Sequence, residues 1–386
     1  MALTVSPRSA EPEGAAPSRV TAMMTMGVEE EFLLVDRRTR APVGRGPRVI
    51  EAAARTLGPL VQPEFFTAQV EVCTSPTASP GALRAQLAGL RDELTRAAAA
   101  EECLLLAAGT PVIPPEHPLT VTRDERYGRM ASRYASVLGA YDQAVCGCHV
   151  HIGVSDRAQA LDLANRMRPW LPSLQALAAN SPFDRGRDSG YASWRAVEHA
   201  RWPTVGPSPL LDEAAYDRCA DELVRSGAVL DRRMIYWYAR PSEHVPTLEI
   251  RVADVNAEID TVVLLAVLVR GLAATFRTES AAGAPTPQPR PDRLREAHRR
   301  AAAHGLDGEG LDALSGASVP AWSLVARLRE SAAPGLDAAG DLSLVDSQLD
   351  RVRAEGTGAA QQRADHRRSG SLEGVVDGLA RAVAQA

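Results

Sequence analysis

Gly27-Val28-Glu29-Glu30-Glu31-Phe32 is the stretch on which the reading of this chain turns. In an extended strand, residues two apart share a face, so Glu29 and Glu31 project together and Phe32 belongs to the opposite, apolar side. Three further segments repeat the pattern: Gln69-Val70-Glu71-Val72, His149-Val150-His151-Ile152 and Leu248-Glu249-Ile250-Arg251-Val252. They pair Gln69 with Glu71, His149 with His151, and Glu249 with Arg251. Phe32, Val70, Val72, Val150, Ile152, Leu248, Ile250 and Val252 then form the buried back of one sheet. Carboxylates gathered on a partly enclosed face repel one another and lose hydration unless they are protonated, paired with cations or bound to metal. One such Glu is ordinarily solvated surface; repetition over four strands makes a catalytic metal site the economical explanation.

The 386 residues, 45% of them hydrophobic, suffice for a large core. A formal net charge of -5 supplies no basic surface for nucleic acid. All 43 residues in the Lys+Arg count are arginine. Without lysine there is no Walker-type phosphate loop, no protein-kinase lysine and no Schiff base. Phosphate or carboxylate must be held by metal, backbone N–H or the planar fork of arginine. Cys73, Cys103, Cys146, Cys148 and Cys219 are an odd set in a large chain, which points to a cytoplasmic protein rather than a disulfide framework. Residues 1–22 read as a disordered arm without a signal peptide. The apolar run Val262 to Val269 ends at Arg270, short of a bilayer span, and reads as a buried helix, so no membrane partner is expected.

Strands are expected at Met26 to Val35, Ala68 to Thr74, Cys103 to Ala107, Cys146 to Val154 and Thr247 to Val252. Helices are expected from Gly81 to Glu102, Asp156 to Ala179, Asp212 to Gly227 and Asp260 to Phe276. Leu83, Leu87, Leu90 and Leu94 mark one core-facing stripe. A Pro-rich break at 284–291 separates a helical portion, 292–386, within what reads as a single catalytic domain over 23–386.

Cys146-Gly-Cys148-His149-Val150-His151 contains the residue types that bind zinc. Strand parity, however, turns both cysteines away from both histidines, and the cysteines read as small core residues away from the site. The histidines share the face of the acidic pairs, where they can ligate metal or contact phosphate. Asn180-Ser-Pro-Phe183 and Gly186-Arg-Asp-Ser-Gly-Tyr-Ala-Ser-Trp-Arg195 form a long loop rich in special residues, of the kind that binds substrate or merely connects. Arg187 and Arg195 offer bidentate contacts there, and Arg240, just before Pro241, offers a third, or they are surface charges.

The ordered set GVEEEFLLVD, QVEVCTSP, GCHVHIGV, ANSPF with GRDSGYASWR, YWYARPS and TLEIRVADV, from about Met23 to the C-terminus, resembles the ATP-dependent carboxylate-amine ligases of the bacterial glutamate-cysteine ligase type 2 family, and at a distance glutamine synthetase. The resemblance implies an α+β fold in which an antiparallel sheet, flanked by helices, forms the floor of an active-site funnel. Carried over by position, it makes Glu29, Glu31 and Glu71 metal ligands, with Glu249 and one of His149 or His151 completing a second metal position. Arg195, Arg240 and Arg251 would contact nucleotide phosphates or the substrate carboxylate, and His149, His151 and Arg187 would help hold the nucleotide. Asp184 stands where the family usually has an aromatic residue, which bears on substrate preference, and Gln361 where it has an arginine.

The implied chemistry is the joining of a glutamate-like carboxylate to an amine, that of cysteine or another, through an acyl phosphate made from ATP. Mg2+, with Mn2+ as its substitute, suits a Glu-rich site without lysine. Such an enzyme takes small-molecule substrates and can be a homo-oligomer. A zinc-dependent hydrolase at the histidines and a non-catalytic nucleotide- or amino-acid-binding protein of the same fold are the alternatives. Idle clustered carboxylates would burden the second of these with lost stability.

Overall fold

The computed structural model describes residues 23–385; the expected N-terminal arm lies outside the described residues. Seven strands make the main sheet: β1 (Met26–Asp36), β2 (Val61–Pro63), β3 (Gln69–Cys73), β4 (Cys103–Leu106), β5 (Gly147–Gly153), β6 (Ala239–Pro241) and β7 (Thr247–Asp254). Their order is β2-β3-β1-β5-β7-β6, with β4 paired to the far end of β1. Every pairing is antiparallel. The two outermost strands end in Pro63 and Pro241, which suits edges that need no full hydrogen-bond ladder. All five expected strands are present within three residues of their expected ends.

One face of the sheet is apolar as parity requires. Val28, Cys148, Val150, Ile152, Leu248, Ile250 and Val252 pack on the helix Ile259–Ala281, whose residues Val262 to Val269 are all buried. That helix has the length and a mean hydropathy of 1.9 suited to a membrane span, yet 89% of its most apolar window lies inside the protein. Phe32, Val70 and Val72 belong to a second cluster with Leu90 and Leu94 of the helix Pro80–Ala100. Ser79 caps that helix, its Oγ accepting from Ala82 N at 3.2 Å. The C-terminal portion enters both clusters, Leu328 and Leu336 in the first and Val375, Val376, Leu379 and Val383 in the second.

One expected helix needs correction. The helix over Asp156 to Ala179 is two helices, Arg157–Met167 and Leu171–Leu177. Pro169, which has no N–H to donate to the ladder, lies in the break between them. Glu30, between two site carboxylates, is turned by strand parity to the apolar side and is fully enclosed. There the equally buried Arg91 grips it, with Nε 3.0 Å from Oε2, and directs its remaining donors to the Ala257 carbonyl (2.5 Å) and the Asn256 carbonyl (2.7 Å). A buried pair this fully satisfied can persist where a lone charge could not.

Candidate active site

Register alone assembles the polar face. Glu31 stands opposite Glu71, Glu29 opposite His149, His151 opposite Glu249, and Glu249 opposite Arg240. These side chains line a cavity of about 1280 Å³ that also takes in Arg195 and Arg251. Nine of the ten residues proposed from sequence therefore meet in one place. Arg187 does not join them: it is exposed on a two-residue strand paired with Phe183–Asp184, outside the cavity lining.

His149 Nδ1 lies 3.1 Å from Glu29 Oε2 and 3.9 Å from Glu249 Oε1, while its Nε2 lies 3.7 Å from Glu31 Oε1. His151 Nδ1 is 2.8 Å from the Thr247 hydroxyl, and its Nε2 is 3.2 Å from Glu29 Oε1. Neither imidazole Nε2 has a well-formed hydrogen bond, although both atoms are buried. Glu31 accepts from Gly147 N at 2.6 Å, and Glu249 accepts from Arg240 Nε at 2.8 Å and from Arg251.

Like charges facing each other across a strand pair are destabilising, and the protonation pattern records it. Burial works against the charge of Glu29, but the close imidazoles of His149 and His151 hold its carboxyl well below the usual range. Glu249 is likewise held down against burial by Arg251 and Arg240. Burial, then the neighbouring Glu29 charge, pushes Glu71 well up. Glu64 is a carboxylate that the strand pattern did not reveal; burial and Glu31 push it up to about 8. Burial and the Arg251 charge lower His149, whereas Glu29 raises His151 against its burial.

The residues fit a divalent cation. Glu29, His149 and Glu249 form one set, and Glu31, Glu71 and His149 another, each offering ligand atoms within 4.8 Å of one another. The orphaned imidazole nitrogens and the mutual repulsion that raises Glu71 are what a cation would relieve. The donors are mostly oxygens, which suits a hard ion such as Mg2+. No cysteine of the described residues joins either set. Cys148 is buried in the apolar back, and Cys146 packs against Gln69 Nε2 at 3.3 Å. Cys73 departs from the expectation of a core residue: two positions after Glu71, it shares the site face and lines the cavity, 3.8 Å from Glu71 Oε1.

A break in register brings a further residue to this face. Cys148 pairs with Ala253 and Val150 with Ile250, so Arg251 and Val252 together oppose His149. This bulge turns Ala253 to the apolar side and Asp254, opposite Gly147, to the polar one. Buried Asp254 accepts from Asn180 N (2.8 Å), Ser181 Oγ (2.7 Å) and Ser193 Oγ (2.8 Å). The long loop is thus anchored to the sheet, and it delivers Arg195 from the short helix Trp194–His199. Arg195 is 3% exposed, has an unpartnered Nε and lies 3.9 Å from Asp254. Gly147 leaves room for its guanidinium, which a Cβ at that position would displace. Asp184 accepts from Gln143 Nε2 at 2.7 Å, and Gln143 lines the cavity. Gln361 bonds instead to the Gly356 carbonyl at 3.4 Å, outside that lining.

Residues 25–378 match the glutamate-cysteine ligase family 2 (GCS2). A protein of Salinispora arenicola named "Putative glutamate--cysteine ligase 2" is 44% identical over 361 residues, which span 93% of this chain and 95% of its own. A similarly named protein of Nocardia farcinica is 44% identical over 343 residues, 88% of each chain. Among solved structures, the glutamate-cysteine ligase of Francisella tularensis in complex with AMP superposes with a TM-score of 0.69 at 14% identity, over 94% of this chain and 88% of that one. A bifunctional glutathione synthetase from Pasteurella multocida gives 0.67 at 16% identity, over 94% and 52%. At such identities the likeness of the two structures is one of fold. The sequence relationship goes further, and by it the chain belongs to glutamate-cysteine ligase family 2.

Proposed function

We propose that this protein is an ATP-dependent carboxylate-amine ligase that activates a glutamate-like carboxylate as an acyl phosphate and passes the acyl group to an amine, releasing ADP and phosphate. The observation that carries the reading is the pair of donor sets sharing His149 on a face that also holds buried arginine. Glu29, Glu31, Glu71 and Glu249 with His149 would hold Mg2+, which would supply charge neutralisation for the phosphates. Glu64, beside Glu31 and Glu71, extends that acidic floor.

The arginines divide into two tasks. Arg195, buried with donors to spare, takes an anionic oxygen of the donor carboxylate or of the transferring phosphoryl group. Arg240 and Arg251 keep Glu249 ionised and place positive charge beside it. In the first step the carboxylate oxygen forms a bond to the γ-phosphorus as the bond to ADP breaks. In the second, the amine nitrogen bonds to the acyl carbon, phosphate leaves with the C–O electron pair, and the nitrogen gives up a proton. Positioning and charge stabilisation supply the acceleration, with no protein nucleophile.

Hydroxylamine is small enough to intercept any acyl phosphate. With glutamate, ATP and Mg2+ it should yield a hydroxamate and equal amounts of ADP and phosphate. Formation of AMP and pyrophosphate would replace the acyl phosphate with an adenylate.

A further inference from the structure

We infer that Gln362, in the C-terminal helix Gly358–Ser369, is a positioning residue for Arg195: it locks the loop that carries the arginine, although it does not line the cavity itself. The catalytic consequence rests on the ligase reading; the locking does not. Asp254 holds the loop from the sheet, and the C-terminal helix holds it at two further points. Gln362, 2% exposed, donates from Nε2 to the Asn180 carbonyl at 2.9 Å and to Asn180 Oδ1 at 2.7 Å. Asn180, itself fully buried, donates through Nδ2 to the carbonyls of Ala107 (2.8 Å) and Val255 (2.7 Å), just past the ends of β4 and β7. Ala359 N adds a bond to the Ala179 carbonyl at 2.9 Å. An approach this close requires Gly358, because a Cβ there would collide with the Asn180 side chain. Further along the loop, Arg363 grips both oxygens of Asp188 at 2.7 Å and the Tyr191 carbonyl at 2.9 Å.

An amide is a demanding choice for this place. Both Asn180 atoms are acceptors, so only the nitrogen of Gln362 can face them, and its Oε1 is left buried without a partner. An apolar side chain of the same length would fill the space and spare that loss. What the amide supplies is a fixed Asn180, and the next residue passes it on. Ser181 Oγ donates to Asp254 at 2.7 Å and accepts from Arg195 N at 3.0 Å, while the Ser181 carbonyl accepts from Trp194 N at 2.8 Å. Among the described residues, Arg195 has no carboxylate nearer than Asp254 at 3.9 Å, beyond hydrogen-bond reach. With no close ion pair to aim it, the guanidinium is placed by the backbone that carries it. A displacement of about 1 Å at such a group can cost on the order of 100-fold in rate.

Gln362→Met keeps the length of the side chain and removes its donor. With the full-length protein, glutamate, ATP, Mg2+ and hydroxylamine, it should lower kcat by about tenfold or more and change the KM for ATP by less than about twofold. In an Arg195→Ala background, where no guanidinium is left to misplace, the same change should lower kcat by less than about twofold. Equal losses in both backgrounds would make Gln362 a part of the scaffold alone and overturn the inference. Hydrogen exchange of the unliganded protein decides independently of activity, and decides alone if the double variant is inactive: residues 180–195 should exchange about tenfold or more faster in Gln362→Met, with β1 and β3 unchanged. Should that variant not fold, Gly358→Ala, which pushes the helix off Asn180, carries the same expectations. Exchange unchanged over 180–195, or raised equally throughout the sheet, would overturn the locking. Faster exchange in the variant of a protein that makes no hydroxamate would leave the locking standing and overturn the ligase.

Discussion

Replacing Glu64 by glutamine should stabilise the metal-free protein while removing its activity. Glu64 shares the acidic floor with Glu31, Glu71 and Glu29, and burial with the Glu31 charge pushes its carboxyl from 4.5 up to about 8. A carboxyl raised in the folded state binds its proton more tightly there than in the unfolded chain. Its contribution to stability is therefore full below the unfolded value of 4.5 and is lost as pH rises toward about 8. At about 1.4 kcal/mol per pH unit, the metal-free protein should lose roughly 2 kcal/mol between about pH 6 and pH 7.5 through this group. Glutamine carries no charge to repel, so the variant should lose less over the same window. Guanidinium unfolding in EDTA at pH 6 and pH 8 measures it: the variant should be the more stable at pH 8, and the gap should narrow at pH 6. Added Mg2+ should stabilise the original protein more than the variant. A variant less stable at pH 8 in EDTA, or a gap indifferent to pH, would refute the idea that repulsion among these carboxylates is what the cation relieves.

Arg91→Leu should cost about 3–5 kcal/mol of stability by stranding Glu30 in the core, read as a shift of the denaturant midpoint, with the KM for ATP little changed because the pair faces away from the cavity. Asp254→Ala strips three hydrogen-bond acceptances from the 180–193 loop and should lower kcat while opening that loop to protease, visible as new cleavage between residues 180 and 193.

The parts of the site that follow a period were readable in advance. Glu29, Glu31, Glu71, His149, His151 and Glu249 sit two apart on strands whose opposite residues are apolar, and antiparallel pairing without slippage between β3, β1 and the start of β5 keeps them level. Glu30 shows the limit of that logic. Parity puts it in the core, but its partner Arg91 lies inside a leucine stripe 61 residues away, where a charge reads as an irregularity. Asp254 required the bulge opposite His149, which depends on how two strands meet and leaves no mark on either alone. Glu64, Tyr127, Trp202 and Tyr236 come from short turns, a helix and loops between strands, and only tertiary packing gathers them. Arg187 was drawn in by its place in a loop motif, whereas the hairpin that carries it lies outside the lining of the cavity.

Isotope transfer tests the acyl phosphate most directly. Glutamate labelled with 18O in its side-chain carboxylate should hand one labelled oxygen to the phosphate released in each turnover, because the oxygen that attacks the γ-phosphorus leaves with it when the amine arrives. Phosphate carrying no label, with the departing 18O found in AMP or in water, would contradict the mechanism.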